Sequence, residues 1–385
     1  MSIYTTPYVH IGAGTCGTVF ALPESTDALK VALDDAWAVT LQRERGILAQ
    51  INRKFPSDID LRIPLLRGYI NKHDSWWNRH HTWLPPGLRQ DVLQMERILP
   101  LPKPVRELLI EKYCPELVKG AARQAPANRE CLARVYIGRR RAARVRPSRM
   151  FNMRNYGLCL DQMEELGIDP MPFVVTMAKA TAFMHWRLKS DARDIEFVLG
   201  CSGIGEIGEN SVMRLADRSS TLSGEDVALK PTESSAPAGT DSASRGYMPA
   251  LFSDQAAREF QDPTIALWML DFNQVRVIED PMIRVEQAVE AFLINDPYYP
   301  KPLPDNPADE ALWAMFRDAY LEASDMMLQL ERDQTKLEPN WRKCPELFID
   351  RLIEGRKRRL ERDSDAAIRS AECTNPAIPS HPPSD

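Results

Sequence analysis

A glycine-rich loop near the N-terminus constrains this chain more than any other feature. Gly12, Gly14 and Gly17 stand at the spacing Gly-x-Gly-x-x-Gly, Val19 follows them, and Lys30 lies in the next apolar run. Because glycine has no Cβ atom, the backbone N–H groups of such a loop can approach a phosphate closely. We therefore expect a phosphate-binding loop, and with it a nucleotide site, in the first part of the chain.

Two folds use such a loop, and the residues after Gly17 favour one of them. In a dinucleotide-binding Rossmann unit the third glycine opens a helix, whereas in a protein-kinase-like lobe it lies in a β-hairpin followed by a strand that carries a lysine. Residues 18–23 are rich in β-branched and aromatic side chains and end at a proline, which is typical of a strand. This favours the kinase-like interpretation. A Rossmann unit stays open, because Asp34 or Asp35 would serve its ribose.

Composition narrows the class of protein. The 385 residues carry a formal net charge of -5, so binding to nucleic acid is not expected. A basic strip of seven arginines between positions 134 and 149 is expected to be a solvated hairpin. No apolar run reaches membrane-spanning length, and no basic segment followed by an apolar core opens the chain. We expect an intracellular protein, cytoplasmic or nuclear, without a membrane partner.

The cysteines argue against two further classes. All seven are scattered, and none forms a Cys-x-x-Cys pair. A disulfide framework and a zinc finger both require closer, regular spacings. We expect the thiols to be reduced and several of them to be buried.

The distribution of residue types predicts an α+β chain with two lobes. Residues 1–100 carry short β-like runs around one helix, and residues 101–362 are mainly helical. About residues 201–260, a segment rich in Ser, Gly, Thr and Asp is predicted to be a mobile insertion. Residues 363–385 contain four prolines and are predicted to be a disordered tail. The predicted fold is protein-kinase-like, with a small β-rich N-lobe and a larger helical C-lobe.

A kinase-like site needs a carboxylate on the helix after the lysine strand. Leu41, Glu44, Leu48 and Ile51 follow helical spacing, so Glu44 shares a face with apolar side chains. A carboxylate on a buried face requires a partner, and Lys30 is the natural one. The sequence leaves open that Glu44 lies at the rim of this face and points to solvent.

The catalytic half of the pattern lies far along the chain. A kinase loop places an aspartate five residues before a metal-binding residue that leads into an apolar strand. Asp191 and Glu196 have this spacing, and Asp271 ends a later apolar run and precedes Phe272. The order predicts Asp191 as the base that accepts a hydroxyl proton, working with Lys30. It also predicts Glu196 and Asp271 as magnesium ligands.

The predicted nucleotide contacts complete this hypothesis. Glu96 and Ile98 belong to the segment that would connect the lobes and meet adenine. The glycine loop, Val19 and Lys30 would surround the phosphates, and Glu44 would orient the lysine. The cofactors predicted are ATP and Mg²⁺. The second partner, a small molecule or a protein, stays unknown.

Departures from the protein-kinase pattern weaken the step from binding to catalysis. Lys189 and Ser190 stand where histidine and arginine are expected, and Asn273 replaces the glycine after Asp-Phe. The pattern is closer to small-molecule kinases such as aminoglycoside or choline phosphotransferases. Three functions are left open: a phosphotransferase acting on a small-molecule hydroxyl, a catalytically inactive kinase-like scaffold, and a Rossmann-type oxidoreductase.

Six stretches of the chain also resemble one known family. They are Gln94–Ile98, Tyr136–Arg141, Leu160–Leu166, Met184–Arg187, Asp194–Gly200 and Asn295–Pro300. The resemblance spans about residues 90–345 and is to a fungal family of uncharacterised domains whose members are often labelled zinc-finger proteins. The family implies no established chemistry, and no zinc-ligand spacing supports that label in this sequence.

Overall fold

The computed structural model describes residues 8–23, 25–141, 150–202, 258–295, 297–334 and 339–374. The protein is α+β, as the sequence predicts, with a β-sheet N-terminal region and a mainly helical C-terminal region. The mobile insertion predicted at about 201–260 lies almost entirely outside the described residues.

A five-stranded antiparallel sheet forms the N-terminal region, in the order β1-β2-β3-β5-β4. The strands are β1 (Val9–Ala13), β2 (Gly17–Ala21), β3 (Asp27–Ala32), β4 (Leu66–Ile70) and β5 (Val92–Glu96). A Rossmann unit is built on parallel strands joined by helices. This sheet has no parallel pair among its five strands, so it offers no such unit.

Helix α1 (Asp35–Lys54) connects β3 to β4 and packs on this sheet. Its N-terminus is capped by Asp34, whose carboxylate accepts a hydrogen bond from the Trp37 backbone N–H at 3.0 Å. One face is buried, and it carries Leu41, Glu44, Ile47, Leu48 and Ile51. The helical spacing therefore places Glu44 among apolar side chains, as predicted.

The C-terminal region combines a small sheet with helices. Its strands are β6 (Ala133–Tyr136), β7 (Tyr156–Cys159), β8 (Glu196–Cys201) and β9 (Ile265–Leu270), in the order β7-β6-β8-β9. The helices after α1 are α2 (Trp76–His80), α3 (Lys103–Tyr113), α4 (Lys119–Gln124), α5 (Leu160–Glu165), α6 (Met171–Ala182), α7 (Pro281–Ile294), α8 (Glu310–Gln334) and α9 (Cys344–Thr374). A π-helical turn, Phe183–Arg187, continues α6.

The core of the C-terminal region forms where α8 packs on α6 and its π-helical turn. The buried Tyr320 hydroxyl receives the Trp186 indole N–H at 3.1 Å and lies 2.9 Å from His185 Nδ1. Burial lowers the pKa of His185 to about 3, so the ring is neutral at ordinary pH. Burying these polar tips is inexpensive because each has a partner. This packing fixes the segment that leads from the π-helical turn to Asp191.

The last helix, α9, extends further along the chain than predicted. Residues 363–374, which were expected to begin a disordered tail, belong to α9. The helix docks through Phe348, Ile349 and Leu352, all buried, and then continues past the contact. Residues 363–374 contain no glycine or proline, so nothing in the sequence stops a helix that is already nucleated.

The arginine strip also differs from its prediction. β6 and β7 are parallel, so they do not form a hairpin. The described arginines of the strip that bear side-chain ion pairs bind carboxylates of neighbouring elements rather than solvent alone. These pairs are Arg134–Glu196, Arg140–Glu164, Arg140–Asp309, Arg141–Asp161 and Arg141–Glu165. Arg144, Arg146 and Arg149 lie outside the described residues.

Two expectations about the whole chain can be compared with the described part. None of the helices described is long and apolar enough to cross a membrane. Six cysteines are buried and form no disulfide in the described part of the chain, which confirms the prediction that several are buried; they are Cys16, Cys114, Cys131, Cys159, Cys201 and Cys344.

Gly17 and Gly46 offer a matched test of this packing. A Cβ atom at Gly17 would lie 2.7 Å from the backbone oxygen of Val31, whereas a Cβ at Gly46 on α1 would meet no atom within 4 Å. We expect Gly17→Ala to lower the free energy of unfolding by about 1–3 kcal/mol. Gly46→Ala should raise it by about 0.5–1 kcal/mol. Urea denaturation measures both, and equal effects of the two substitutions would contradict the packing of β2 against β3.

Candidate functional site

A cleft between the two regions collects most of the residues singled out from the sequence. It contains about 990 Å³ of space, counting its open mouth. Nine predicted residues line it: Gly12, Gly14, Val19, Lys30, Glu44, Glu96, Ile98, Glu196 and Asp271. Gly17 and Asp191 are not part of this lining.

Lys30 lies at the centre of the cleft wall. Its Nζ donates to both oxygens of Glu44, at 2.9 and 2.8 Å, and to Oδ1 of Asp271 at 3.0 Å. Burial alone would lower the pKa of Lys30, but the Glu44 and Asp271 carboxylates outweigh it and raise the pKa. The lysine is therefore an ammonium ion held between the N-terminal and the C-terminal region.

The turn that carries Asp271 is bound to the glycine loop. Asp271 has a left-handed backbone, with φ 64°, which is uncommon outside glycine. The side-chain amide of Asn273 donates to Asp271 Oδ1 and also lies 3.1 Å from the sulfur of Cys16. Cys16 is the buried residue just before Gly17. Asn273, at the position where the predicted pattern has glycine, thus joins this turn to the loop through its amide.

The three loop glycines have different roles. Gly12 and Gly14 line the cleft, and a Cβ at Gly14 would meet no atom within 4 Å. Gly17 instead lies against β3, where the backbone oxygen of Val31 leaves no room for a side chain. Only Gly12 and Gly14 can therefore face a ligand.

The connector between the two regions, residues 96–98, presents backbone groups to the cleft rather than a free carboxylate. Glu96 Oε2 accepts the backbone N–H of Leu65 at 3.1 Å, and the Glu96 N–H donates to the Leu65 oxygen at 2.8 Å. These bonds give the Glu96 carboxylate a structural role. Ile98 also lines the cleft, and its backbone N–H has no hydrogen-bond partner among the described residues. A free N–H in this position is suited to a planar acceptor such as a heterocyclic base.

Glu196 reaches the cleft from the start of β8 and meets an arginine there. Its Oε1 is 2.6 Å from Nη2 of Arg134, a residue of β6 that also lines the cleft. Burial raises the pKa of Glu196 to about 7, with help from Asp271 and Asp194, although Arg134 acts in the opposite direction. Burial and the neighbouring carboxylates therefore favour the protonated form of Glu196, and Arg134 favours the charged form.

Asp191 lies away from the cleft and is enclosed. Its side chain has 0% exposure, and Oδ2 is 2.5 Å from Nε of Arg276. Oδ1 accepts the backbone N–H groups of Arg276 at 2.9 Å and of Arg193 at 3.2 Å. The carboxylate holds two chain segments together, and no substrate hydroxyl can reach it in this conformation.

Two groups of side chains offer carboxylates to a metal ion. Cys16, Glu44 and Asp271 have ligand atoms within 4.8 Å of one another, but the Lys30 ammonium already binds both carboxylates. A cation there would face like-charge repulsion. By contrast, Oε2 of Glu196 and Oδ2 of Asp271 have no partner among the described residues. Carboxylate oxygens of this kind suit Mg²⁺, so the second group fits the predicted ion.

The comparison with known families covers one part of this site. Residues 267–332 match a family model described as a zinc finger protein. The match runs from β9 into α8 and includes Asp271, and it confirms the expected label for that segment. No curated protein matches the chain. In the described ranges, the one group of three or more potential metal ligands that approach one another contains a single cysteine and no histidine, so it is no zinc finger.

Several residues of the site were not assigned by sequence reasoning. Arg134 was expected to belong to the solvated strip. Side chains two residues apart in a strand lie on the same face, so Arg134 of β6 shares a face with Tyr136. Asn273 was interpreted only as a replacement of the glycine expected after Asp271 and Phe272. Asp194 was noted within a motif but given no role. The sequence feature that could have identified Asp194 is its position two residues before Glu196, where an apolar strand begins.

The raised pKa of Glu196 makes the stability of the protein depend on pH. Between about pH 4.5 and pH 7 the folded protein keeps a proton that the unfolded chain releases, so stability falls as pH rises through this range. We expect the protonation of Glu196 to contribute up to about 3 kcal/mol to the free energy of unfolding at low pH. Urea denaturation at pH 5.5 and pH 8 should show a smaller loss for Glu196→Gln than for the wild type. Glu116→Gln, at a highly exposed carboxylate, is the control. Equal losses in wild type and Glu196→Gln would contradict this assignment.

Proposed function

We propose that this protein binds ATP together with Mg²⁺ in a kinase-like manner. The observation that carries the proposal is the position of Lys30, whose ammonium lies between Glu44 on α1 and Asp271 after β9. A lysine oriented by a helix carboxylate, beside an aspartate that binds metal, is the arrangement with which kinases hold nucleotide phosphates.

The rest of the cleft is consistent with a nucleotide. Gly12 and Gly14 leave the backbone open near Lys30, where phosphates would lie. The Ile98 N–H and the apolar side chains of Ala28 and Leu270 form a part of the cleft that suits an adenine ring.

Glu196 and Asp271 would hold the magnesium ion. The chemistry supplied by a bound Mg²⁺ would be neutralisation of part of the phosphate charge. The free oxygens Glu196 Oε2 and Asp271 Oδ2 are the atoms available for this. Burial is the main cause of the raised pKa of Glu196, and the carboxylates of Asp271 and Asp194, which raise it further, would favour a cation at this point.

Thermal unfolding with and without ligand tests the nucleotide proposal. ATP with Mg²⁺ should stabilise the wild type by about 2.7 kcal/mol when the ligand is present at about 100 times its Kd. In Asp271→Asn the additional stabilisation by Mg²⁺ should disappear. Asp325→Asn, at an exposed position on α8, is the matched control and should behave like the wild type. A wild type that Mg-ATP does not stabilise would overturn the proposal.

Two functions are compatible with this site, and they differ in whether the protein transfers a phosphoryl group. A phosphotransferase acting on a small-molecule hydroxyl needs a carboxylate that can reach the hydroxyl. Asp191, the residue predicted for this role, is buried and bound by Arg276. This favours the catalytically inactive, kinase-like scaffold, which binds nucleotide and a partner without transferring phosphate.

ATP turnover discriminates between the two functions. We expect the purified protein to bind ATP without turnover, and Asp191→Asn to show the same background rate as the wild type. Release of inorganic phosphate and of ADP measures this. Turnover by the wild type that Asp191→Asn abolishes, with binding retained, would contradict the scaffold and favour the phosphotransferase.

A further inference from the structure

The strand register orders the floor of the cleft from the connector to the carboxylates. At one end, a Cβ atom on Gly200 would lie 2.5 Å from Ile98 Cγ2 and 2.9 Å from Leu132 Cδ2, so this glycine lies directly against the connector. At the other end, Glu196 is the first residue of β8 and pairs with the last residue of β9, which precedes Asp271. The strand from Gly200 to Glu196 spans about 13 Å. A nucleotide whose base binds at Ile98 would therefore extend its phosphates toward Glu196.

Arg134 lies on this floor between the two ends. β6 is antiparallel to β8, and Arg134 is opposite Val198 in the ladder. Residues opposite each other, and residues two apart along a strand, project from the same face of a sheet. Arg134 and Glu196 therefore share a face, and both line the cleft. The contact of Arg134 Nη2 with Glu196 Oε1, at 2.6 Å, places the guanidinium at the carboxylate end.

The cations that line the cleft differ in the N–H donors that they keep for a ligand. Among the described residues they are Lys30, Arg97 and Arg134. The Lys30 ammonium forms three hydrogen bonds to carboxylate oxygens, as many as it has donors. Arg97 lies in the connector and binds a carboxylate and backbone oxygens there. A guanidinium has five donors, and the ion pair of Arg134 uses Nη2. Arg134 is therefore the cation at the carboxylate end with donors left for a phosphate.

The guanidinium of Arg134 is incompletely satisfied within the described protein. Its Nε is buried there and has no hydrogen-bond partner. A buried donor without a partner is unfavourable, and such groups are rare in native structures. The side chain as a whole is 26% exposed, so it has room to turn toward the cleft. Nε and the adjoining Nη are the two parallel donors with which arginine matches the oxygens of a phosphate.

We propose that Arg134 binds the terminal phosphate of a nucleoside triphosphate and thereby makes the cleft select triphosphates over diphosphates. The terminal phosphate is the group farthest from the base, and the guanidinium lies at the Glu196 end of the cleft, away from Ile98. Glu196 opposes this binding, because its carboxylate holds the same guanidinium and repels a phosphate. The inference rests on the proposed function, from which it takes the position of the base.

Titration calorimetry with ATP and ADP tests the role of Arg134. Binding to the full chain is measured in EDTA at pH 8, where Glu196, whose pKa is about 7, is mostly charged. We expect the wild type to bind ATP at least about 10-fold more tightly than ADP. Arg134→Gln should raise the Kd for ATP by about 10- to 100-fold and change the Kd for ADP by less than about twofold. Arg134→Lys keeps the charge without the paired donors, so its Kd for ATP should lie between the two.

Glu196→Gln separates phosphate binding from the loss of an ion pair. In EDTA this variant should lower the Kd for ATP by about 3- to 10-fold, because the guanidinium is released and a negative charge is removed. An arginine with only a structural role would not tighten ATP binding in this way. The double variant Arg134→Gln with Glu196→Gln removes both partners, so it should keep the wild-type urea midpoint while losing the preference for ATP. Arg358→Gln, at a side chain 62% exposed on α9, is the control and should bind like the wild type.

The outcomes distinguish this inference from the proposed function. A wild type that binds ATP and ADP equally overturns the inference and leaves nucleotide binding standing. The same holds for an Arg134→Gln variant whose Kd for ATP stays within about twofold of the wild type. An equal loss of ATP and ADP affinity in Arg134→Gln also overturns it, because the terminal phosphate would not be the group that the arginine contacts. A wild type that binds neither nucleotide overturns the proposed function, and this inference with it.

Discussion

The Lys30 ammonium is the interaction on which the candidate site depends. It is buried, and it binds one carboxylate from the N-terminal region and one from the C-terminal region. Removing either partner of a buried ion pair leaves an uncompensated charge that costs about 3–5 kcal/mol. Lys30 is therefore one of the contacts that hold the two regions in register across the cleft, beside the Asn273 amide at Cys16. The glycine loop, the connector and the Asp271 turn all take their positions around it.

The pairing of Lys30 with Glu44 could be predicted because it depends on local rules. Helical spacing places Glu44 on the apolar face of α1, and a carboxylate on that face requires a cation. The strand after Gly17 could likewise be predicted from its β-branched residues. The antiparallel pairing of β2 with β3 follows from their short connection, whereas β5 pairs with β3 across α1, β4 and α2.

The positions of Asp191 and Arg134 could not be predicted, because both depend on contacts distant in sequence. Asp191 has the spacing of a catalytic residue, but Arg276, far along the chain, approaches it after β9 and encloses it. Arg134 belongs to a run of arginines that looks like a solvated surface. Its role appears only when β6 pairs with β8 and places it beside Glu196. Spacing along the chain identifies candidate residues, whereas tertiary contacts decide which of them a ligand can reach.

The close approach of Gly17 to Val31 has a consequence for how such motifs vary among homologues. At this position glycine is required by the spacing of two strands, and the requirement holds whether or not a ligand binds. A homologue that has lost Lys30, and with it phosphate binding, would still be under selection to keep Gly17. Gly14 has open space around it and would be free to drift. Joint substitution of Gly14 and Lys30 therefore indicates the loss of phosphate binding better than substitution of Gly17 does.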